Sequence, residues 1–261
     1  MKRFGLIGFP LGHSFSAGYF AEKFRREHID ATYENFPMSS LDGLRSMIEQ
    51  SDDICGLNVT IPYKQDVMPL LDELSDDAQA IGAVNVIVVG RTPSASGTTI
   101  TLKGYNSDVI GFADSLRPLL RPFHRKALVL GTGGASCAVI AALRKMDIEP
   151  LCVSRRKQEA YCGAPVITYA EVDDEVLASH LVVVNCTPLG MSPKTEQAPD
   201  IPYGSITASH LVYDLIYNPA ETLFLKKAAA QGATVKNGLE MLHRQAEASW
   251  RFWTETHGME P

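Results

Sequence analysis

The sequence is poor in cysteine, and it contains neither a long apolar run nor an excess of basic charge. Its five cysteines are scattered and never spaced as Cys-x-x-Cys, so they indicate no obvious zinc site and no disulfide framework. This pattern is typical of a protein in the reducing cytosol. We therefore expect most of the cysteines to be buried as small hydrophobic residues.

The charge balance is acidic. Lys and Arg number 24 against 30 Asp and Glu, which gives a net charge of −6 and a pI near 5.6. A nucleic-acid-binding domain would instead carry a basic patch or stripe, so that class of function is excluded. No run approaches the roughly 20 apolar residues of a membrane span, and the apolar start of the chain is too short and too broken for a secretion signal. The sequence predicts a soluble, cytoplasmic protein with no membrane or nucleic-acid partner.

Strand and helix patterns alternate along the first half of the chain. Strand-like runs cover residues 4–9, 31–36 and 55–61, and helical patterns lie between them at about 16–28 and 41–50. This rhythm indicates βαβ units and an α/β domain with a mostly parallel sheet. The runs 83–89 and 98–106 flank a segment rich in Gly, Pro and Ser, and they predict a hairpin at the sheet edge.

One strand-like run, GLNVTIPYK at 56–64, carries polar side chains on one face. Leu57, Val59 and Ile61 alternate with Asn58 and Thr60, as in a half-buried strand. The polar face has two interpretations at this point. It is either the wet face of an edge strand or part of a binding site.

The second half contains the motif that its context supports most strongly. Buried strands are predicted at 127–130, 150–156, 181–186, 211–215 and 234–235, and an amphipathic helix at 238–256. The segment GTGGAS, 131–136, directly follows the first of these strands and opens a helix that runs to Met146. A dinucleotide-binding glycine motif needs this context.

Each position of the glycine segment has an expected role. Gly131 allows the tight turn, Gly133 lets the backbone approach a pyrophosphate, and the helix N-terminus supplies N–H groups and a positive dipole. Thr132, Gly134 and Ala135 complete the turn, and Ser136 replaces the usual third glycine. The alternative is a glycine-rich turn that binds nothing.

The end of the second strand of this half indicates which dinucleotide is bound. An NAD site usually has an acidic residue here that binds the ribose 2′-hydroxyl, but the sequence has Ser154, Arg155, Arg156 and then Lys157. Guanidinium groups pair with a 2′-phosphate. NADP is therefore favoured over NAD, with a solvated basic loop as the alternative.

The chain resembles the shikimate dehydrogenase family. The resemblance covers nearly the whole chain, in family order and spacing, through the motifs GFPLGHSFS, GLNVTIPYK, GAVNV, GYNSDVIGF, GTGGAS, NCTPLGM, DLIYNP and NGLEMLHRQA. The motifs of the first half are specific to shikimate and quinate dehydrogenases, whereas the glycine turn is generic. The resemblance implies an α/β substrate domain over 1–115, rejoined by the helix 239–256, and a Rossmann-like NADP-binding domain over 116–238.

The resemblance also implies an activity, which is the NADPH-dependent reduction of 3-dehydroshikimate to shikimate. It identifies Lys64 and Asp108 as the catalytic pair. Hydride reduction of a ketone leaves an alkoxide oxygen that must gain a proton. A cationic lysine can donate that proton, and a carboxylate can orient the lysine. The competing interpretation, two unrelated surface charges, is weaker because each residue lies just beyond a strand in a polar segment.

Further site residues follow from the same resemblance. The substrate carboxylate would meet hydroxyl groups, and the ring hydroxyls would meet groups that both donate and accept; the implied residues are Ser14, Ser16 and Tyr217, and then Asn58, Thr60, Asn85 and Gln245. Ser14 or Ser16 could instead cap the helix that follows. The cofactor side adds Thr187, Leu215 and Gly238. Cys186 is discounted as a nucleophile because no base lies near it in sequence, and His13 is expected to be structural.

Two alternatives to the NADP-dependent shikimate enzyme stay open. One is a quinate/shikimate dehydrogenase that uses NAD. The other is an NADP-binding sensor without activity, which the presence of both Lys64 and Asp108 disfavours because a binder needs no proton donor. We expect a small-molecule substrate, no metal, and a monomer or homodimer.

Overall fold

A computed structural model describes residues 1–12, 14–94 and 97–258. His13, expected to be structural, lies outside the described residues. The chain divides into two compact units. The first is Met1–Ser107 with Ala246–Pro261, and the second is Asp108–Gln245.

The first unit is an α/β unit built on one sheet. Its elements are β1 (Lys2–Gly8), α1 (Phe15–Arg26), β2 (Ala31–Pro37), α2 (Leu44–Glu49), β3 (Ile54–Val59), β4 (Glu73–Leu74), α3 (Asp76–Ile81), β5 (Val86–Ser94) and β6 (Gly97–Tyr105). The strand order is β2-β1-β3-β5-β6-β4. The pairs β1–β2, β1–β3 and β4–β6 are parallel, and β3–β5 and β5–β6 are antiparallel. The mostly parallel sheet and the hairpin predicted from the sequence are confirmed. The predicted position of the hairpin at the sheet edge is wrong, because the two-residue strand β4 pairs with β6 outside it.

The second unit has a sheet with a different strand order. Its elements are α4 (Asp108–Leu116), β7 (Lys126–Leu130), α5 (Ser136–Lys145), β8 (Glu149–Ser154), β9 (Ala160–Tyr161), β10 (Ala164–Thr168), α6 (Asp174–Ser179), β11 (Val182–Asn185), β12 (Leu211–Asp214), α7 (Leu223–Ala229) and β13 (Thr234–Lys236). The helix α8 (Leu239–His257) begins in the second unit and ends in the first. Short 3-10 helices lie at Met68–Leu70, Arg117–Leu119, Tyr169–Glu171 and Tyr203–Ser205.

The strand β3 ends earlier than the sequence predicts. The prediction extended it to Ile61, but β3 ends at Val59 and the Ile61 side chain is 75% exposed. The N–H of Tyr63 donates to the carbonyl of Thr60 over 2.9 Å, so the chain has already turned. Pro62 has no N–H with which to extend the ladder. The segment 60–64 is therefore a turn at the carboxyl end of β3.

Apolar side chains cover both faces of the sheet in the first unit. One core contains Ile7, Leu57 and the α2 residues Leu44 and Ile48. The other core packs α1 and the end of α8 onto the sheet through Phe4, Phe20, Phe24, Trp250 and Trp253. Gly56 must be glycine here, because a Cβ at this position would lie 2.2 Å from the Trp253 ring. Asn58 lies two residues beyond Gly56 in β3 and points toward the same helix.

The sheet of the second unit aligns the carboxyl ends of its central strands. The order is β13-β12-β11-β7-β8-β10-β9, with all neighbours parallel except β9 and β10. In the register, Leu130 lies opposite Asn185 and Val153, and Asn185 lies opposite Asp214. The chain direction around the sheet reverses at β7, and ligands of open α/β sheets bind beyond the carboxyl ends at such a point.

The expectation that the cysteines form no disulfide is wrong. Cys137 on α5 and Cys162 between β9 and β10 form a disulfide, with Cα atoms 5.6 Å apart. No local pattern indicates this pairing, because 25 positions separate two residues that only the fold brings together. Cys55 and Cys152 are buried, and Cys186 is partly buried.

In the described ranges, no helix has the length and apolar character to cross a bilayer. Over the same residues, no group of three or more His, Cys, Asp or Glu side chains is placed to hold a metal ion.

Candidate active site

In the first unit, the turn after β3 lies beside the segment that precedes β5. The N–H of Val59 donates to the carbonyl of Asn85 over 2.9 Å, and the N–H of Val84 donates to the carbonyl of Lys64 over 2.7 Å. These two bonds bring Lys64, Thr60 and Asn85 to one end of the sheet. Lys64 and Thr60 are partly buried, and Asn85 is buried.

The position of Thr60 depends on a glycine. The N–H of Thr60 donates to the carbonyl of Ile7 over 2.9 Å, which extends the pairing of β1 and β3 by one residue. A Cβ on Gly8 would lie 2.5 Å from the Thr60 methyl carbon. The methyl group therefore occupies the space that the missing Gly8 side chain leaves, and this contact fixes the threonine rotamer.

Asn58 uses most of its hydrogen-bonding capacity inside the first unit. Its oxygen accepts a hydrogen bond from the Tyr33 hydroxyl over 2.8 Å. Its nitrogen donates to the Asn85 carbonyl over 3.2 Å and to the Ser249 hydroxyl over 3.0 Å. A carboxamide has two N–H donors and two oxygen lone pairs, so Asn58 retains one lone pair with which to accept.

Asn85 has the opposite hydrogen-bonding capacity left over from that of Asn58. Its oxygen accepts from the N–H of Ser107 over 2.7 Å, and its nitrogen donates to the Ser107 hydroxyl over 3.0 Å. The Ser249 hydroxyl donates to the Ser107 hydroxyl over 3.2 Å. Within the described part of the chain one N–H of Asn85 meets no acceptor, so Asn85 can donate where Asn58 can only accept.

The two serines predicted to bind the substrate lie at the start of α1. Ser14 occupies the N-cap position with an extended backbone, but among the described residues its side chain caps no N–H of the helix. Ser16 forms a hydrogen bond with Tyr33, which in turn bonds Asn58. The hydroxyl of Ser16 is therefore linked to the polar cluster at the end of β3. The capping role considered for Ser14 is not used.

In the second unit, Asp108 and Gln245 lie on adjacent helices. Asp108 is the first residue of α4 and is buried. Gly111 follows three positions later, on the same side of the helix. A Cβ on Gly111 would lie 2.9 Å from the Cβ of Gln245 and 2.7 Å from the carbonyl oxygen of Met241. This close approach of α4 and α8 places Gln245 one helical turn from Asp108.

The glycine turn has the conformation that its sequence predicts. Gly131 has φ +98°, and a Cβ there would lie 2.7 Å from the Thr187 methyl carbon. A Cβ on Gly134 would meet no atom within 4 Å among the described residues, so the turn is open to the outside at this point. Ala135 at the N-cap of α5 supplies no side-chain cap within the described chain. The N–H of Ser136 donates to the carbonyl of Gly133 over 3.1 Å, and the next N–H groups of this helix end can face an anionic group.

The basic residues after β8 are exposed. Ser154 is buried, and its hydroxyl accepts from the N–H of Arg156 over 3.3 Å. The side chains of Arg155 and Arg156 are exposed at the same edge of the sheet as Gly131. Such a position suits a phosphate on the ribose, as the sequence predicts.

Other predicted cofactor residues also converge at this edge. The carbonyl oxygen of Leu215 lies so close to Gly238 that a Cβ there would be 2.0 Å away. The N–H of Gly238 donates to the carbonyl of Ile216 over 3.1 Å. Tyr217 follows, with 43% of its surface exposed. The structure thus brings Leu215 and Gly238 into contact at this edge.

A buried polar cluster links the ends of β11 and β12, and sequence reasoning did not assign it a role. Asn185, Asp214 and Thr222 are each fully buried. The carboxylate of Asp214 accepts from the side chains of Asn185, over 3.0 Å, and Thr222, over 2.6 Å. Burial raises the pKa of Asp214 to about 6, against the effect of these hydrogen bonds. Asn185 and Asp214 belong to the motifs NCTPLGM and DLIYNP. The sequence therefore marked both residues as part of family motifs but did not show that they bond each other.

Cys186 lies between this cluster and the glycine turn. Burial raises the pKa of its thiol well above the ordinary value. A reactive cysteine needs a thiolate, which forms at a lowered pKa. The electrostatics therefore agree with discounting Cys186 as a nucleophile.

Known proteins similar to this chain include a family model and named relatives. The family model for the shikimate dehydrogenase substrate binding domain matches residues 6–87. A protein named shikimate dehydrogenase (NADP(+)) from Desulforamulus reducens is 36% identical over 270 residues, covering 96% of this chain and 89% of that protein.

Solved structures of relatives superpose on the chain. Shikimate 5-dehydrogenase from Thermus thermophilus, solved in complex with NADP(H) and shikimate, has a TM-score of 0.82 and 31% identity, covering 98% of this chain and 94% of that one. Quinate dehydrogenase from Corynebacterium glutamicum, in complex with NAD, has a TM-score of 0.82 and 27% identity over 97% of this chain and 94% of that one.

Proposed function

Because the chain belongs to the shikimate dehydrogenase family, we propose that it catalyses the reversible NADPH-dependent reduction of 3-dehydroshikimate to shikimate. This reaction is a step of aromatic amino acid biosynthesis. The observation that carries the proposal is the cluster of Thr60, Lys64 and Asn85 at the end of β3, inside the segment that matches the substrate-binding family model. A proton donor among such polar groups suits the reduction of a hydroxylated ketone.

The carboxyl edge of the second sheet fits NADP. Gly131, Gly133 and the start of α5 would hold the pyrophosphate, because the backbone can approach there and the helix N–H groups face an anion. Arg155 and Arg156 would hold the 2′-phosphate. The remaining predicted contacts are Thr132, Gly134, Ala135, Ser154, Thr187, Leu215 and Gly238. When bound, the reduced nicotinamide supplies the hydride.

Lys64 would act at the substrate oxygen. A ketone oxygen gains negative charge as it is reduced, and the ammonium group of Lys64 stabilises that charge and donates the proton. In the reverse direction the amine accepts the proton from the hydroxyl. Asp108 is the proposed carboxylate partner, since a nearby negative charge keeps a lysine protonated.

The polar side chains divide the substrate between them. Ser14, Ser16 and Tyr217 would meet the substrate carboxylate with their hydroxyl groups. Thr60 and Gln245 can each donate and accept. The hydrogen bonds inside the first unit leave Asn58 an acceptor and Asn85 a donor. We propose that this division orients the ring hydroxyls.

A quinate/shikimate dehydrogenase that uses NAD is the second candidate. The likeness to the quinate dehydrogenase of Corynebacterium glutamicum favours it, and the exposed arginines after β8 favour NADP instead. The two candidates share a fold and a proton donor. They differ in the cofactor, which is NADP or NAD, and in the preferred substrate, which is shikimate or quinate.

One set of assays separates the candidates. Purified protein is mixed with shikimate or quinate, each with NADP or NAD, and the nicotinamide absorbance is followed. The proposal expects the highest kcat/KM with shikimate and NADP. A higher kcat/KM for quinate and NAD supports the second candidate. No turnover with any pair, while NADP still binds, contradicts both and supports a sensor without activity.

We propose that residues 1–115, with the helix 239–256, form the substrate domain, and that 116–238 form the NADP domain. We also propose that the protein is cytoplasmic and is a monomer or a homodimer. Light scattering on the eluting peak of a size-exclusion column measures the oligomeric state.

A further inference from the structure

Asp214 lies at the carboxyl end of β12 with no exposed surface. One carboxylate oxygen accepts from the side-chain nitrogen of Asn185 and from the N–H of Ile216, both over 3.0 Å. The other oxygen accepts from the Thr222 hydroxyl over 2.6 Å. Since a carboxylate only accepts, every group that faces Asp214 in this cluster is a donor.

Asp214 provides the shorter of two bonds that orient the Asn185 carboxamide, the other being a 3.4 Å bond from the same nitrogen to the carbonyl of Leu189. The Asn185 nitrogen must face the carboxylate, so the Asn185 oxygen faces the other side. There the oxygen accepts from the N–H of Thr187 over 3.0 Å and from the Thr187 hydroxyl over 2.7 Å. In the reversed orientation, nitrogen would face the Thr187 N–H and oxygen would face a carboxylate, and both contacts would be lost.

Thr187 links Asn185 to the glycine turn. Its hydroxyl donates to Asn185 and accepts from the N–H of Leu189 over 3.2 Å. Both bonds fix the rotamer, which places the methyl group against Gly131, where a Cβ would be 2.7 Å away. Gly131 is the residue with φ +98° at which the chain leaves β7. The conformation of the glycine turn therefore depends on the position of Thr187 at the end of β11.

We infer that Asp214 is a positioning residue for the cofactor, which acts through Asn185 and Thr187 to fix the glycine turn at Gly131. The inference rests on the proposed NADP site. Asp214 itself is enclosed by protein, so it touches neither cofactor nor substrate. Since the turn meets the pyrophosphate, which NADP and NAD share, Asp214 supports the binding of both cofactors equally.

The experiment measures Kd for NADP and for NAD by calorimetry, and KM for shikimate, in wild type and two variants. Asp214→Ala removes the acceptors and should raise both cofactor Kd values about tenfold or more, by the same factor, with the shikimate KM changed less than twofold. Asp214→Asn keeps an oxygen for Asn185 and Ile216, and the Thr222 hydroxyl can rotate to accept from its nitrogen. It should retain cofactor Kd values within about threefold of wild type.

A matched control separates positioning from general loss of stability. The Ser115 hydroxyl forms a buried hydrogen bond of 2.8 Å with Tyr213, the neighbour of Asp214 in β12. Ser115→Ala should lower Tm and leave both cofactor Kd values unchanged. If Asp214→Ala does not fold, the double variant Asp214→Leu with Asn185→Leu takes its place. Replacing both Asp214 and Asn185 by apolar residues is better tolerated than leaving one of them without its hydrogen-bond partner. The double variant still tests the inference, because Thr187 loses the Asn185 oxygen as its acceptor.

The outcomes are distinct. Unchanged cofactor Kd in Asp214→Ala, or in the double leucine variant, overturns the inference and leaves the proposed function intact. An equal loss in Asp214→Asn and Asp214→Ala overturns it, as does a parallel rise in the shikimate KM. A wild-type protein that binds neither cofactor overturns the proposed NADP site, and the inference with it.

Discussion

The carboxamide of Asn58 donates a hydrogen bond of 3.0 Å to the hydroxyl of Ser249, across 191 positions of sequence. It joins the end of β3 to α8 within the first unit. Because the Asn58 side chain is also bound by Tyr33 and the Asn85 carbonyl, the last residues of β3 have one arrangement. The turn that carries Thr60 and Lys64 starts from this fixed point.

Thr60→Val should weaken shikimate binding and leave NADP affinity unchanged. Valine keeps the methyl group that packs against Gly8, so the substitution removes only the hydroxyl. A substrate hydroxyl left without a partner costs about 1–3 kcal/mol. KM for shikimate and Kd for NADP measure the two effects. Thr92→Val, at an exposed position of β5, is the control, and an equal loss of NADP affinity in Thr60→Val would place Thr60 against the wrong ligand.

Lys64→Ala should lower kcat far more than it raises the shikimate KM. General acid–base catalysis contributes about 10²–10⁴-fold, and the ammonium group acts mainly as charge develops on the substrate oxygen. Steady-state absorbance assays give both constants. Lys103→Ala, which removes an exposed lysine paired with Glu73 in the same unit, should leave kcat unchanged. A near-wild-type kcat in Lys64→Ala contradicts the assignment of the proton donor.

Replacing Arg155 and Arg156 together by Ala should raise KM for NADP by roughly ten- to a thousandfold. Hydrogen bonds to a charged phosphate contribute about 1.5–3 kcal/mol each, and solvent screening at an exposed site reduces this. NAD lacks the phosphate, so its KM should barely change. Added salt should weaken NADP more than NAD, because it screens the same charges.

The readout for the arginine pair is the ratio of kcat/KM for NADP to that for NAD. The exposed pair Arg25 and Arg26 at the end of α1 offers a matched control, and its double alanine variant should keep the wild-type ratio. An unchanged ratio in the Arg155 and Arg156 variant means that these arginines form a solvated loop.

Asp214→Asn should remove a pH dependence of folding stability between about pH 4 and 6. Burial raises the pKa of Asp214 to about 6, whereas an aspartate in the unfolded chain titrates near 3.9. In this window the native state holds the proton and the unfolded state does not. The contribution of protonated Asp214 is therefore present below about pH 4 and is lost as pH rises through 6, by about 3 kcal/mol in all.

Urea unfolding of both proteins from pH 4 to 7.5 measures the effect. Buried His210, whose pKa is lowered by desolvation, acts with the opposite sign, because its contribution is present above about 6.5 and is lost in acid. It is common to both proteins and cancels in the difference. Two parallel stability curves would mean that Asp214 does not titrate in this range.

The sequence predicted elements whose pattern is local. The strand, glycine turn and helix around Gly131 were recognisable because buried strand, turn residues and helix follow each other without a gap. It did not predict β10, which is five residues long with Pro165 in it and has no clean alternation. The helix α6 was not predicted either; only Leu177 of its six residues is buried, so no apolar stripe marks it.

The sequence predicts the residues of the candidate site but not the hydrogen-bond partners of those residues. Asn58 was assigned to the substrate from the resemblance, yet its bonds to Tyr33 and Ser249 connect distant segments that no local pattern relates. Asp214 and Asn185 lie 29 positions apart, and their meeting depends on the order of β11 and β12 in the sheet. The same holds for the disulfide between Cys137 and Cys162.

The path of α8 has a consequence for the order in which the protein is made. The core of the first unit is filled by Trp250 and Trp253, and Gly56 leaves the space for the Trp253 ring. A nascent chain emerges from its N-terminus, so the strands of this unit leave the ribosome before the residues that cover them exist. The second unit, one uninterrupted stretch, is available earlier. The half of the molecule that is synthesised first is therefore completed last, and translation that stops before residue 250 leaves an aromatic-lined groove without its cover.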